Sequence, residues 1–240
     1  MFSPSAVYGT SAVVYALALV VLVTRLRGMA NERRRYCYPV VAVLVVSMLC
    51  SVLVTAGIGQ IPVNGAEVDV PGLIDDLITY PVLWGVAVML AGVSRRTLAA
   101  LAAIPVTQVL AFQVASVIGG LVGLVGLLVV VGGHGVIAYL LLGPIWADAR
   151  DVPAKQRLLH WKSRNLLLFL VGMLIAFAVL SLFGLFDSFV VVALGQYVDV
   201  LIRVGVASFL FANVESIAVG TLDGMPDDRS GALTETTGAD

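Results

Sequence analysis

Apolar residues run along this chain in seven long stretches, each about long enough to cross a bilayer as a helix and parted by short polar segments. They fall at about 6–26, 36–60, 73–92, 97–117, 122–146, 165–186 and 189–220. The pattern predicts an all-α seven-transmembrane helix bundle over residues 1–221. Ile61-Pro62-Val63-Asn64-Gly65 reads as a turn between the second and third spans. Gly119, Gly120, Gly123 and Gly126 read as a tight turn into the fifth span rather than as a packing face. Residues 222–240 are acidic and rich in Gly, Thr and Asp, the composition of a disordered tail.

Composition places the chain in the membrane class: of 240 residues 60% are hydrophobic and 12% charged, and the mean hydropathy is +1.04. A net charge of −1 hides an asymmetry between connections. Arg25, Arg27, Arg33, Arg34 and Arg35 follow the first span, and Arg95 and Arg96 follow the third. Arg150, Lys155, Arg157, Lys162 and Arg164 crowd a long polar loop over 148–164 before the sixth. The alternate connections carry Glu67, Asp69 and Asp187 instead. Basic loops stay in the cytoplasm, so the N-terminus is expected outside and the C-terminus inside, in a multi-pass protein of the plasma membrane. The first span has no basic segment ahead of it and no Ala-x-Ala site, so it reads as a retained span and not a signal peptide.

Little in the chain suggests catalysis. Cys37 and Cys50 are both in the second span, about 20 Å apart along a helix, too far for a disulfide, and read as packing residues. His134 reads as a hydrogen-bonding contact between helices. No His/Cys cluster has metal spacing and no Ser/His/Asp set or phosphate loop is visible, so the chain is read as no enzyme, without metal and without a nucleic-acid partner. Charges inside apolar runs are another matter, because each must be compensated and marks a functional position. Asp199 and Arg203 are four residues apart in the seventh span and share one helix face. The third span begins Asp75-Asp76-Leu77-Ile78-Thr79-Tyr80-Pro81, with Asp75 and Thr79 likewise on one face. A buried charge site of Asp75, Thr79, Asp199 and Arg203 is expected, joined by Asp76 if that residue turns inward.

With these residues the chain resembles the microbial rhodopsins, in particular haloarchaeal bacteriorhodopsin and sensory rhodopsin II. That family has Asp-x-x-x-Thr-x-Pro in its third helix and Asp-x-x-x-Lys-Val-Gly in its seventh. The same frames here read Asp75, Thr79, Pro81 and Asp199, Arg203, Val204, Gly205. Ser94-Arg95-Arg96-Thr97 and Tyr139-Leu140-Leu141-Leu142-Gly143-Pro144 also match in position, so the likeness spans nearly the whole chain.

The resemblance puts Arg203 where the family carries the lysine that forms the retinal Schiff base. A guanidinium stays protonated and is a poor nucleophile, and the chain's lysines, Lys155 and Lys162, lie far off in a polar loop. Covalent retinal is therefore not expected. The implied retinal walls are altered too. A tryptophan position falls at Asp76, a small residue becomes Tyr80, and the aromatic set of helix six becomes Val171, Leu174, Ile175 and Ala178. Trp84, Trp146 and Trp161 match none of the wall positions, and the last two read as interfacial. The proton-donor position is Val86, and that of the arginine below the Schiff base is Gly72.

A light-driven pump of the usual mechanism is thus not expected. The leading reading is a chromophore-free opsin relative with a sensory, structural or partner-binding role, its partners being the lipid bilayer and a membrane transducer or a second copy. The alternative is non-covalent binding of retinal, a carotenoid or a lipid, with Arg203 holding a carboxylate or hydroxyl, and it gains if the Val171/Ala178 side leaves a cavity. A small ion transporter comes third, since no polar route continues past Val86.

Overall fold

A computed structural model describes residues 3–217. Eight α-helices and one hairpin follow in the order α1 Pro4–Arg27, α2 Asn31–Thr55, β1 Gln60–Val63, β2 Ala66–Asp69, α3 Val70–Met89, α4 Arg95–Ile118, α5 Gly120–Leu142, α6 Pro144–Asp148, α7 Ala154–Leu182 and α8 Ser188–Ala212. Among the described residues, seven helices are long and apolar enough to cross a membrane, with α5 and the short α6 making one span. This is a multi-pass membrane protein.

Helix starts follow local chemistry. The side chains of Ser3, Asp69, Ser94 and Asp187 accept backbone N–H groups from the first turns of α1, α3, α4 and α8. Pro4 and Pro71 stand in first turns, where the missing N–H costs nothing.

Several ends differ from the hydropathy pattern. Helix α2 stops at Thr55, not near 60, because Gly57 and Gly59 take positive φ (70° and 87°) and lead into the hairpin. In that hairpin Val63 pairs with Ala66 across Asn64-Gly65, both at positive φ (51° and 82°), the conformation a two-residue loop demands. The fifth span, Gly120–Asp148, covers the expected 122–146 but is broken within it: α5 ends at Leu142, and Gly143-Pro144 sets off α6. The expected polar loop over 148–164 is largely helix: α7 begins at Ala154, behind Pro153, rather than at 165. Its first turns are amphipathic, burying Gln156, Leu159, His160, Ser163 and Arg164, so the helix outruns its apolar stretch. Helix α8 ends at Ala212, well short of 220, and a 3₁₀ turn follows at Val214–Ser216. The acidic tail, 222–240, lies outside the described residues.

The glycine turn before the fifth span is also smaller than expected. Positive φ is confined to Gly119 and Gly120, while Gly123 and Gly126 are inside α5. A Cβ on Gly126 would stand 2.6 Å from Ala115 Cβ and 2.7 Å from the Ala111 carbonyl oxygen, so this glycine lets α5 close on α4.

Helix α1 packs on α2 and α8, α3 on α2 and α4, and α7 on α3, α5 and α8. The core runs through the bundle from Tyr15 and Leu44 to Trp84, Leu141, Leu167 and Ile202. Cys37 and Cys50 are free and buried.

Candidate functional site

The site is built on α8. A four-residue spacing turns Asp199 and Arg203 to one side, where Arg203 Nη1 lies 2.8 Å from Asp199 Oδ1. Arg203 is 2% exposed, and it reaches across to α3. Its Nη2 is 3.0 Å from Asp75 Oδ2 and donates to Asp76 Oδ1 at 2.8 Å. Asp76 therefore does turn inward, and one guanidinium gathers three carboxylates. Consecutive positions on α3 both reach it: Asp75 also contacts Ser47 on α2, and Asp76 lies about 100° further round the helix.

Hydroxyl groups complete the arrangement. Thr79 donates to Asp75 Oδ1 at 3.0 Å, one turn along α3, and Ser47 on α2 donates to the same oxygen at 2.6 Å. The Tyr80 hydroxyl donates to Asp199 Oδ1 at 3.1 Å, and its ring centre is 5.8 Å from the Arg203 guanidinium carbon. Arg203 Nε and Nη1 have no aligned hydrogen bond, so Asp199 holds Nη1 by charge alone. Beside them a space of about 20 Å³, lined by Tyr15, Ser51, Asp75 and Arg203 among others, is large enough for one water.

On the other side of the charges opens a cavity of about 540 Å³. Asp76, Tyr80, Val171, Leu174, Ile175 and Ala178 all line it, which are the six altered wall positions named from sequence. It extends from Arg203 and Trp84 toward the hairpin end of the bundle, where Asp69, Gly72 and Tyr8 stand. Small and aliphatic side chains on α7 leave the space open; Phe112 on α4 and Phe177 on α7 give it aromatic surface.

Past Trp84 the bundle is closed. Leu83, Val86, Ala87 and Leu210 are buried there, and Trp84 itself is 1% exposed. Among the described residues no group of three or more His, Cys, Asp or Glu could hold a metal ion. His134 lies beside the cavity floor, with its ring centre 6.3 Å from that of Trp84. Trp146 is stacked on His160 at 6.2 Å, and Trp161 is exposed on α7.

Three contributors escaped the sequence reading. Ser47 is one neutral residue in an apolar run, though Ser51 one turn on makes a short polar stripe on α2 that marks the inward face. Trp84 matches none of the wall positions that the resemblance implies, yet it lines the cavity. Gln108, on the opposite wall, donates from Nε2 to the Val130 carbonyl oxygen at 2.6 Å and ties α4 to α5 beside it.

No protein-family model and no curated protein matches this chain. Solved structures do. The chain is similar to a cyanorhodopsin from the cyanobacterium Calothrix sp. NIES-2098, with a TM-score of 0.84 at 16% identity, covering 91% of this chain and 98% of that one. The thermophilic rhodopsin of Rubrobacter xylanophilus gives a TM-score of 0.78 at 20% identity, covering 89% and 97%. The light-driven proton pump rhodopsin of Coccomyxa subellipsoidea gives 0.77 at 15%, covering 89% and 96%. This chain has the microbial rhodopsin fold. At these identities the likeness establishes the architecture, and what a rhodopsin-fold protein does must be argued from its own site.

The rhodopsin fold implies retinal, and the residues here do not fit its covalent attachment. Arg203 is the basic group at the centre of the bundle; it carries a permanent charge and is held by three carboxylates. Lys155 and Lys162 stand near the start of α7, about 24 and 14 Å along the helix from Val171 at about 1.5 Å per residue.

Proposed function

We propose that this protein is a membrane-embedded binding protein of rhodopsin fold that takes an elongated apolar molecule non-covalently, without a Schiff base and without pumping. One observation carries the reading: the six positions where the walls are altered border a single cavity of about 540 Å³ instead of collapsing on one another. A cavity of that size, walled mainly by apolar side chains, with the Arg203 cluster at its inner end and Asp69 toward the hairpin, has the form of a site for a retinoid, a carotenoid or a lipid. It favours binding over the purely structural bundle that the residues alone put first.

The charged end supports the absence of pumping. Directional proton transfer needs a group that changes its affinity for the proton, and a guanidinium does not. The buried apolar layer of Leu83, Val86 and Leu210 beyond Trp84 supplies no onward polar step. With the basic connections in the cytoplasm, the hairpin end and the Asp69 side of the cavity face outside, so ligand is taken from that side or from the outer leaflet. Occupancy of the cavity then biases how α7 and α8 pack, which is a sensory role.

The test is absorption and tryptophan emission of the purified protein with all-trans retinal, wild type beside Arg203→Lys. Wild type is expected to bind retinal with no red-shifted band and to lose Trp84 emission by transfer to the polyene; Trp84→Phe removes that quenching. Arg203→Lys is expected to gain a red-shifted band. Failure of every retinoid, carotenoid and lipid probe to quench Trp84 would return the protein to the chromophore-free structural reading.

A further inference from the structure

The charges at the end of the cavity are unbalanced. One guanidinium faces three carboxylates, and with all three ionised the cluster holds two negative charges in excess. The three acids are not equivalent. Both oxygens of Asp75 are engaged, Oδ1 by Ser47 and Thr79 and Oδ2 by Arg203. Asp199 takes the Tyr80 hydroxyl and the charge of Arg203. Asp76 receives Arg203 Nη2 on Oδ1, and no other described residue donates to it. Its side chain is also the most open, at 38% against 10% for Asp75 and 19% for Asp199.

What the cavity offers a ligand is therefore a carboxylate and not a guanidinium. Arg203 is 2% exposed and already faced by three acids, so an anionic head on it would add to an existing excess of negative charge, the reverse of the expectation that Arg203 holds a ligand carboxylate. A proton on one acid offsets that excess, and so does an ammonium, which also brings an apolar tail to fill the cavity.

We infer that the ligand of this cavity is a cationic amphiphile, an amine on an elongated apolar chain, with its ammonium on Asp76 and its tail along Trp84, Val171, Leu174 and Ala178. The inference rests on the binding role proposed above and names its ligand class. No covalent step is involved. The ammonium donates to the free side of the Asp76 carboxylate, and the apolar tail displaces water from the cavity around the pair, which strengthens a charge-assisted hydrogen bond.

The experiment compares three probes with one polyene and different heads: all-trans retinylamine, retinol and retinoic acid. Full-length protein in nanodiscs of zwitterionic lipid is titrated with each, quenching of tryptophan emission is read, and empty discs are subtracted. The amine is expected to bind at least about tenfold tighter than the acid, about 1.4 kcal/mol, with the alcohol between them. Asp76→Asn, nearly isosteric, is expected to weaken the amine about tenfold while leaving the alcohol within about twofold. Acid binding as tight as amine, or equal weakening of all three probes by Asp76→Asn, would overturn the ligand class while leaving the binding role in place. If none of the three binds, the ligand class is overturned, and the binding role falls with it when the carotenoid and lipid probes fail as well. The ranking of heads is read in wild type, so it decides the matter even if Asp76→Asn does not fold.

Discussion

Ser47 Oγ lies 2.6 Å from Asp75 Oδ1, and both side chains are shut away from solvent between α2 and α3. Through Asp75 the same contact reaches Arg203, so a single hydroxyl joins α2 to the charge cluster that links α3 and α8. A hydrogen bond to a buried charge is worth about 1.5–3 kcal/mol, more than a neutral one. Ser47→Ala is expected to lower stability by that amount in thermal unfolding of the reconstituted protein, whereas Ser3→Ala, at an exposed helix start, stays within about 1 kcal/mol of wild type.

Arg203 is the cation on which the three acids converge, and the cost of losing it depends on how many acids remain. Breaking a buried ion pair from one side costs about 3–5 kcal/mol, because the other side is left uncompensated. Arg203→Gln is therefore expected to be among the most destabilising single changes in the bundle at neutral pH. The loss shrinks when Asp76→Asn and Asp199→Asn accompany it, since fewer negative charges are then stranded. An unchanged unfolding temperature in Arg203→Gln would remove the structural role given to the cluster.

These residues were visible in the sequence for a simple reason: Asp75, Asp199 and Arg203 are charges in runs that otherwise read as membrane, and such residues are too costly to be incidental. Seven spans were visible because length and hydropathy are set by the bilayer, not by neighbours. Ser47 was less visible: with Ser51 it marks the inward face of α2, but a serine is cheap in an apolar helix and gives no sign of its partner. The start of α7 was missed because hydropathy finds the apolar part of a helix and is blind to the amphipathic turns that precede it. The hairpin shows in the sequence only as the turn at Asn64-Gly65, because Gln60–Val63 and Ala66–Asp69 are too short and mixed to read as strands. The cavity had a signal in its walls, at Val171, Leu174, Ile175 and Ala178, but none for whether it stays open. Whether shortened side chains leave a space or let helices close is decided by packing over the whole bundle.

Asp69, in the hairpin just before α3, allows a test by pH. Burial pushes its carboxyl above the ordinary value of 3.8; the hydrogen bond from the Gly72 backbone N–H opposes this and the charge of Asp75 adds to it. The folded protein thus holds this proton more tightly than the unfolded chain. The contribution is in full below the ordinary value and is lost as pH rises through the higher folded one. Asp69→Asn keeps the cap on α3 and removes the titration, so its stability is expected to match or exceed wild type at neutral pH and to vary less across the weakly acid range. Asp69→Ala loses the cap as well and is expected to fall about 1 kcal/mol below Asp69→Asn. Thermal unfolding of the three proteins from acid to neutral pH checks both statements.

Far from the cavity, α7 holds the ends of two other helices with residues spaced one turn apart. Gln156 Nε2 donates to the Leu90 carbonyl at 3.1 Å, His160 Nδ1 is 2.7 Å from the Ala87 carbonyl, and Arg164 Nη1 donates to the Leu141 carbonyl at 2.8 Å. Helices α3 and α5 end at these carbonyls, and a helix end leaves its last carbonyls without partners in the helix. At Ala87 the need is specific: the Ala91 N–H, which would ordinarily bond it, donates to Val88 instead. A carbonyl can only accept, so His160 carries its proton on Nδ1, with its ring stacked on Trp146 and the Arg164 guanidinium 4.3 Å from the centre of that same indole. Leaving a buried carbonyl unpaired costs about 1–3 kcal/mol, so His160→Ala is expected to destabilise by that amount and to speed hydrogen exchange at the end of α3. Arg164→Lys keeps the charge but neither the planar stacking on Trp146 nor the fixed reach to Leu141, and is expected to behave more like a deletion than a conservative change. If His160→Ala left the end of α3 as protected as in wild type, α7 would not be the element that secures it.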